Sequence, residues 1–504
     1  MFALSTASST LFCPLKILFR PQKSLANPLE YRYQRSRRHY PGVQRAISRP
    51  AFTLSRLPSM GRDLSLIPEL RTQFNRAFTP QKYAALLSLL EQRSGSRIDF
   101  RVAETPVFMW AAQLDELASV GAELTASLMG NPACLAAARR AIPAGYLVAG
   151  ETAHPNFLTA DFALVRDPAG ELVPRLVEIQ AFPSVYGYQA VLCSAYRDAF
   201  GLDQSLATFL GGILGSSLGG IDEAQYWKLL AETILAGHDP ENVVLTEIDP
   251  LHQKTRPDFD ITAARLGIEV VDIRSLAAVG NKLHYRNARG RLVPIHRIYN
   301  RAIADELMAR GIQLPFDLTH PWDVEWAGHP NWYFLISKFS IPWLSSPSLS
   351  NPPVRHFVVP PAVFLGDFLA GPGRTQLAAA GVPLPAGSAP DTAYSELLLK
   401  PLFSFAGKGI QFDPIQAQLE QIPAAQRSSF LLQQRMSFVP TIDTPHGLTQ
   451  AEIRILYLWP DGGNLTPVLS LLRLGRGKMM GVDHNKDREW VGASAAFFPR
   501  SSTP

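Results

Sequence analysis

Residues 397–410, Leu-Leu-Leu-Lys-Pro-Leu-Phe-Ser-Phe-Ala-Gly-Lys-Gly-Ile, decide how this sequence is interpreted. An apolar run ends in Lys400, and Gly407-Lys408-Gly409 leads into a second run, which predicts two strands joined by a flexible loop. Glycines let backbone N–H groups approach phosphate oxygens, and lysines supply positive charge. The loop is not a Walker A loop, because the Gly-x4-Gly-Lys-Ser/Thr order is absent. Taken alone, such a turn is more often a solvated hairpin.

Two later segments change this interpretation. Residues 430–436 predict a strand that contains Gln433 and Gln434, and Arg454 lies at the start of another predicted strand. In order, type and spacing, these residues resemble the lid and adenine-binding half of the ATP-grasp superfamily. The resemblance implies that Lys400, Gly407, Lys408 and Gly409 bind the phosphates of ATP and that Gln433 and Gln434 flank the adenine. It also implies that Arg454 stabilises charge on the transferred group.

A predicted hairpin lies more than 200 residues upstream of this loop. Strand-like runs at 162–166 and 172–179 are joined by Asp167-Pro168-Ala169-Gly170, so we expect Asp161 and Glu178 to lie near each other. The segment resembles the Asp-Phe … Leu-x-Glu-x-Asn-x-x-x-Pro pattern of the circularly permuted ATP-grasp branch, which includes glutathionylspermidine synthetase. The resemblance implies that Asp161, Glu178 and Gln180 hold Mg²⁺, since hard oxygen ligands suit this ion.

The resemblance covers about residues 155–500 and keeps its order along the chain. Ile298-Tyr299-Asn300-Arg301, Ser337-Lys338-Phe339 and Ala496-Phe497-Phe498-Pro499 match further segments of that branch. Two departures stand out. Gln180 is a methylene longer than the asparagine it replaces, which leaves its metal contact open. Thr159 replaces an arginine, which leaves the acceptor substrate open.

The fold predicted is mixed α/β, a circularly permuted ATP-grasp fold with a small central α/β domain. Alternating strand-like and helical runs between residues 243 and 299 predict the central domain, with a largely parallel sheet. We predict five segments: a basic extension or targeting segment at 1–59, a helical region with the metal-binding hairpin at 60–221, the small α/β domain at 222–345, a Pro-rich connection at 346–394, and the lid and nucleotide-binding half at 395–504.

The positive net charge belongs to the N-terminus and not to the whole chain. Residues 1–60 hold ten Lys/Arg and a single acid, Glu30, so the rest of the chain holds 38 Lys/Arg against 42 Asp/Glu. We therefore predict no nucleic-acid partner. The N-terminal segment is a transit peptide, a disordered extension, or sequence translated ahead of a start at Met60.

The cysteines and the polarity of the chain indicate which cellular compartment to expect. The three cysteines lack metal-ligand spacing, and the longest charge-free run, residues 204–221, is too polar to predict a membrane span. We expect a cytoplasmic protein without a membrane partner, or an organellar one if residues 1–59 are a transit peptide.

These observations together predict an ATP-dependent ligase. ATP and Mg²⁺ are the expected cofactors, and small-molecule carboxylates and amines are the expected partners, joined through an acyl phosphate. Two alternatives stay open: a catalytically degenerate nucleotide- or ligand-binding protein, and a phosphotransferase on the same fold.

Overall fold

The computed structural model describes residues 66–211, 220–346, 358–404, 407–477, 480, 485 and 487–499. The predicted extension at 1–59, and with it the choice between Met1 and Met60 as first residue, lies outside the described residues.

Helices and strands alternate along much of the chain. The α-helices are α1 (Pro68–Ala77), α2 (Pro80–Ser94), α3 (Ala111–Met129), α4 (Pro132–Arg140), α5 (Tyr186–Phe200), α6 (Glu223–Leu235), α7 (Arg256–Leu266), α8 (Ala304–Ala309), α9 (Trp332–Leu335), α10 (Ser340–Ser345), α11 (Leu365–Ala370), α12 (Pro372–Ala379) and α13 (Gln416–Gln421). No helix in the part of the chain that the structure describes is long and apolar enough to cross a bilayer.

The strands are β1 (Val107–Phe108), β2 (Phe157–Arg166), β3 (Leu172–Gln180), β4 (Leu206–Ala207), β5 (Val243–Glu247), β6 (Glu269–Asp272), β7 (Ala277–Val279), β8 (Lys282–Arg286), β9 (Leu292–Pro294), β10 (Arg297–Asn300), β11 (Glu325–Ala327), β12 (Ala362–Phe364), β13 (Leu397–Pro401), β14 (Gln411–Phe412), β15 (Phe430–Gln434), β16 (Pro440–Ile442), β17 (Thr449–Leu458), β18 (Thr466–Gly475) and β19 (Gly492–Pro499). This content confirms the mixed α/β class. Circular permutation and the five segment boundaries stay predictions.

The largest sheet has the order β1-β19-β18-β17-β2-β3, with β16 and β4 paired at its margins. β2 and β3 form the predicted hairpin, which is closed by a turn in which Gly170 N donates to the carbonyl of Asp167. One face of this sheet packs on α3, where Tyr457 donates from its hydroxyl to the carbonyl of Ala118. Gly121 is required there, because a Cβ at this position would lie 2.2 Å from the Tyr457 hydroxyl. The other face carries the charged side chains described below.

The central sheet is parallel and has the order β11-β10-β5-β6. The predicted helix at 261–266 is the second half of α7, which connects β5 to β6. β10 then pairs on the other side of β5, so the strand order reverses between β5 and β10. The small antiparallel sheet β7-β8-β9 is inserted between β6 and β10 in the chain.

The fourth sheet, which we call the lid sheet, is antiparallel with the order β12-β15-β13-β14. Its first strand and both helices that follow come from the region predicted to be a Pro-rich connection, 346–394. That prediction is wrong for residues 362–379. A high proline content does not exclude helices here. Pro372 occupies the first turn of α12, where a backbone N–H would have no intrahelical hydrogen-bond partner in any case.

Candidate functional site

Two strands of the largest sheet bring the predicted metal ligands together. Asp161 on β2 is directly opposite Glu178 on β3, and a bulge follows, since Phe162 pairs with Leu176 and leaves Val177 as the extra residue. Bulges redirect side chains next to functional sites. Here the bulge places Glu178 beside Asp161 on the charged face of the sheet.

Asp161 lies between two arginines. Arg454, its cross-strand partner on β17, donates from Nε to Oδ1 and from Nη2 to Oδ2, both at 2.6 Å. Arg473 on β18 donates from Nη2 to Oδ2 at 3.1 Å. Burial would lower the pKa of Arg454, but Asp161 reverses the effect and raises it. Asp161 is fully buried, and hydrogen bonds from guanidinium groups, instead of bulk water, solvate both of its carboxylate oxygens.

Glu178 is the more accessible of the two acids, with 20% of its side chain exposed. Lys338 Nζ is 3.5 Å from Oε2, and Arg454 Nη2 is 3.5 Å from Oε1. Gln180 donates from Nε2 to Oε1 at 3.2 Å. Burial acts to raise the pKa of Glu178, but the charge of Lys338 and those of three further cations outweigh it and lower the pKa to about 2. Glu178 is therefore ionised at neutral pH.

Lys400 approaches the same acid from the lid sheet. It lies buried on β13, and its Nζ is 3.5 Å from the carbonyl of Val177, the bulged residue. Burial lowers the pKa of Lys400 to about 8, although the charge of Glu178 opposes this shift. Lys338 Nζ donates at 2.6 Å to the carbonyl of Ser404 in the loop after β13. The two lysines therefore connect the lid sheet to the β2–β3 hairpin.

The glycine loop follows β13, the strand that carries Lys400. Gly407 and Gly409 have φ values of +72° and +79°, which an L side chain adopts only with strain. A Cβ on Gly409 would also lie 3.0 Å from Pro401 Cγ. Lys408 is exposed, and in the described part of the chain no hydrogen bond or ion pair joins it to the cluster. Phe405 and Ala406 lie outside the described residues.

The two predicted adenine-flanking glutamines lie on opposite faces of the lid sheet. Gln433 pairs with Leu398 and so shares a face with Lys400, about 7 Å further along the sheet. Gln434 pairs with Leu397 and faces the lid sheet's own apolar core. Gln433 is fully buried, and neither polar atom of its amide has a hydrogen-bond partner among the described residues. Such an amide suits a ligand that offers both a donor and an acceptor.

If Gln433 flanks the adenine, as the sequence resemblance implies, replacing it with leucine should stabilise the fold and weaken nucleotide binding. Removing two unpaired buried polar atoms should raise the free energy of unfolding by about 1–2 kcal/mol, while ATP affinity should fall about tenfold. Urea unfolding and equilibrium binding of ATP measure the two effects. Gln434→Leu is the matched control and should leave ATP affinity unchanged. A stabilised Gln433→Leu variant with unaltered ATP affinity would show that this side chain does not face the nucleotide.

Sequence reasoning misses two members of the cluster, Glu452 and Arg473. Glu452 lies two residues before Arg454 on β17 and accepts a hydrogen bond from Arg473 Nη1. Burial raises the pKa of Glu452 to about 7, with Arg473 opposing the shift. The sequence signal that could have found them is a charged residue inside an otherwise apolar predicted strand. A buried charge needs a partner, so such residues are expected to pair with one another.

A group of buried polar side chains lies at the reversal of strand order in the central sheet. In open α/β sheets, ligands bind at such a point, beyond the carboxyl ends of the strands. Glu247 ends β5, and Arg301 directly follows β10. Burial raises the pKa of Glu247 to about 8, although Arg301 acts to lower it.

Arg301 connects these buried polar side chains to the loop after β3. Its Nη1 donates to the carbonyl of Pro183, and its guanidinium lies 5.4 Å from the ring centre of Phe182. Its Nη2 is 4.0 Å from Asp258 Oδ2. Three buried polar atoms around Arg301 have no hydrogen-bond partner among the described residues: Asp258 Oδ2, Tyr299 OH and Arg301 Nε. A polar ligand or water bound at this position would supply the missing hydrogen-bond partners.

The residues predicted to hold Mg²⁺ fit the ion unequally. Glu178 is ionised and partly exposed, and Gln180 uses its amide nitrogen toward Glu178, which leaves the amide oxygen as the atom that could ligate. Both oxygens of Asp161 are engaged by arginines. The described residues contain no cluster of three or more His, Cys, Asp and Glu side chains suited to a metal. Mg²⁺ needs only one or two protein carboxylates when phosphates supply further ligands, so Glu178 alone meets this requirement, and the amide oxygen of Gln180 would be an additional neutral ligand.

Comparison with known proteins identifies the fold. No protein-family model matches the chain, and no curated protein matches it significantly. Among solved structures it is similar to a glutathione synthetase-like effector from Globodera pallida in its apo form, with a TM-score of 0.50 and 12% identity. The similarity covers 84% of this chain and 98% of that chain. At this level of identity the comparison shows a shared mixed α/β fold.

Proposed function

We propose that this chain is an ATP-dependent carboxylate–amine ligase with a circularly permuted ATP-grasp fold. ATP would lie between the lid sheet and the β2–β3 hairpin, with Mg²⁺ on its phosphates. The glutathione synthetase-like structural neighbour supports a ligase fold, and the arrangement of charges supports the site.

The observation that carries the proposal is the convergence of cations from separate segments on one acid. Four cations act on Glu178, namely Lys338, Arg454, Arg473 and Lys400. They outnumber the three carboxylates of the cluster, those of Asp161, Glu178 and Glu452. An excess of positive charge in a poorly solvated place favours a polyanion. The unpaired amide of Gln433 lies beside Lys400, where the base of a nucleotide would extend from its phosphates.

The proposed reaction needs no nucleophilic side chain. A substrate carboxylate oxygen attacks the γ-phosphorus of ATP, and ADP leaves. An amine nitrogen then attacks the acyl carbon, phosphate leaves, and the nitrogen loses a proton to give the amide. Lys400 and Arg454 would hold the transferred phosphoryl group by charge and geometry, which are the main protein contributions to phosphoryl transfer. Mg²⁺ would neutralise phosphate charge, held by Glu178 and Gln180.

The acceptor site is proposed at the reversal of strand order in the central sheet. Arg301 offers a cation to a carboxylate, and its unpaired Nε lies among other unpaired polar atoms. Its bond to Pro183 links it to the loop that begins after Gln180. A substrate bound there would therefore extend toward the phosphate-binding cluster.

Trapping of the acyl phosphate tests the function. Full-length protein is incubated with Mg-ATP, hydroxylamine and a panel of carboxylates, and we expect hydroxamate that depends on both ATP and a carboxylate. Arg301→Met should lose hydroxamate formation while still binding ATP, since Arg301 follows β10 of the central sheet whereas Lys400 lies on β13 of the lid sheet.

Other outcomes select the alternative functions. ATP binding without ADP release would favour a nucleotide-binding protein without catalysis. A phosphorylated product that resists hydroxylamine would favour a phosphotransferase. Absence of ATP binding would overturn the proposed function.

A further inference from the structure

The role of Asp161 differs from the one its sequence context suggests. Its carboxylate makes two hydrogen bonds of 2.6 Å with Arg454 and one of 3.1 Å with Arg473, and the residue is fully buried. Arg454 is its direct cross-strand neighbour, so the pairing is fixed by the register of β2 and β17. Each oxygen of Asp161 already has a charged donor.

A metal ion at Asp161 would either displace one of these guanidinium groups or bind the remaining lone pair of Oδ1, next to two guanidinium charges that repel it. Arg454 has only 6% of its side chain exposed, so displacement would leave a buried cation without its counter-ion. The surroundings of Glu178 are different. Its nearest cations, Lys338 and Arg454, lie 3.5 Å away, which is an ion-pair distance and longer than the bonds at Asp161. Phosphates that bind these cations would free Glu178 for a metal.

We infer that Asp161 is a positioning residue and not a metal ligand. It aligns the guanidinium groups of Arg454 and Arg473 as a fixed pair on adjacent strands, and this pair binds a phosphate of the nucleotide. Glu452 holds the other end of Arg473, so that arginine is oriented from both sides. Glu178 is the acid of the β2–β3 hairpin that would hold the metal when the nucleotide is bound. This inference rests on the proposed function and adds Arg473 as a phosphate-binding residue.

Two neutralising substitutions separate the roles, because they should change nucleotide affinity in opposite directions. In the presence of EDTA, Glu178→Gln should raise the affinity for ADP, since it removes a negative charge next to the phosphates. Asp161→Asn removes a negative charge as well, yet it should lower ADP affinity about tenfold, since the arginine pair loses its alignment. Simple charge removal predicts an increase for both variants.

Metal affinity supplies the second readout. Mn²⁺ binding to the protein–ADP complex, followed by electron paramagnetic resonance, should weaken about tenfold or more in Glu178→Gln. In Asp161→Asn it should stay within about twofold of the unmodified protein. Loss of Mn²⁺ affinity in Asp161→Asn with unchanged or increased ADP affinity in EDTA would overturn the inference.

Arg473→Gln covers the case in which Asp161→Asn does not fold. This variant keeps the two bonds between Asp161 and Arg454, and it should lower ADP affinity in EDTA about tenfold without weakening Mn²⁺ binding. Unchanged ADP affinity in Arg473→Gln would overturn the inference. If the unmodified protein binds neither ATP nor ADP, the proposed function fails and this inference fails with it, whereas binding with the wrong pattern among variants rejects the inference alone.

Discussion

Replacing Lys400 with methionine is expected to weaken ATP binding about 100-fold. Methionine keeps the unbranched length of the side chain and removes its charge. Lys400 is buried, and its Nζ lies 3.5 Å from the carbonyl of Val177, so its charge acts on a bound phosphate through little intervening water. Equilibrium binding of Mg-ATP at neutral pH measures the effect.

The pH dependence of binding gives an independent test of Lys400. Burial lowers its pKa to about 8, from an ordinary value of 10.5, so the free protein loses this cation as the pH rises through about 8. Phosphates need the charged form, so ATP affinity should fall by up to about tenfold per pH unit above that value. In Lys400→Met this fall should disappear.

Lys408→Met is the matched control for Lys400→Met. Lys408 is exposed on the glycine loop, so its charge is screened by water and its removal should weaken ATP binding only several-fold. Equal losses in the two variants would contradict the assignment of Lys400 as the main phosphate-binding lysine. Unaltered affinity in Lys400→Met would remove the lid sheet from the nucleotide site.

The proximity of Asp161 and Glu178 could be predicted because it depends on local pattern. Alternating apolar residues and a short turn define the β2–β3 hairpin, and a hairpin fixes which residues oppose each other. The bulge at Val177 could not be predicted in this way, since an extra residue leaves the overall alternation almost unchanged.

Neighbours in the largest sheet could not be read from local pattern. Asp161 and Arg454 are 293 residues apart in the chain, and their contact depends on β17 lying beside β2. The same strand order brings Glu452 and Arg473 into the cluster. The sequence does not distinguish Gln433 from Gln434 as adenine-flanking residues. Only the register with β13 shows that their side chains lie on opposite faces of the lid sheet. Long-range strand pairing therefore accounts for most of what was missed.

A second large effect is expected where the β17–β18 hairpin meets the central sheet. Arg297 has 2% of its side chain exposed, and it donates to Glu325 and to Asp461, both at 2.8 Å. Asp461 lies in the turn between β17 and β18, and Glu325 begins β11. Arg297 also donates to the carbonyl of Ile234 at 3.1 Å, near the C-terminus of α6, where a cation is favourable. One buried guanidinium therefore joins three elements.

Neutralising both acids, with Glu325→Gln and Asp461→Asn, is expected to lower the free energy of unfolding by about 3–5 kcal/mol. The acids are 57% and 43% exposed and lose little themselves, but Arg297 is left as a buried charge without a counter-ion. Urea unfolding followed by tryptophan fluorescence measures the change as a shift in midpoint at constant slope.

Adding Arg297→Met to this double variant should restore part of the lost stability. Once the acids are neutral, the guanidinium is the destabilising group, and an apolar side chain of similar length removes it from a buried place. Arg297→Met alone should therefore lower stability less than the loss of both acids, because exposed carboxylates without a partner return to water. If the triple variant is less stable than the double, Arg297 still stabilises the fold when its two partners are neutral amides. Its hydrogen bonds, and not its charge pairing, would then join the hairpin to the central sheet.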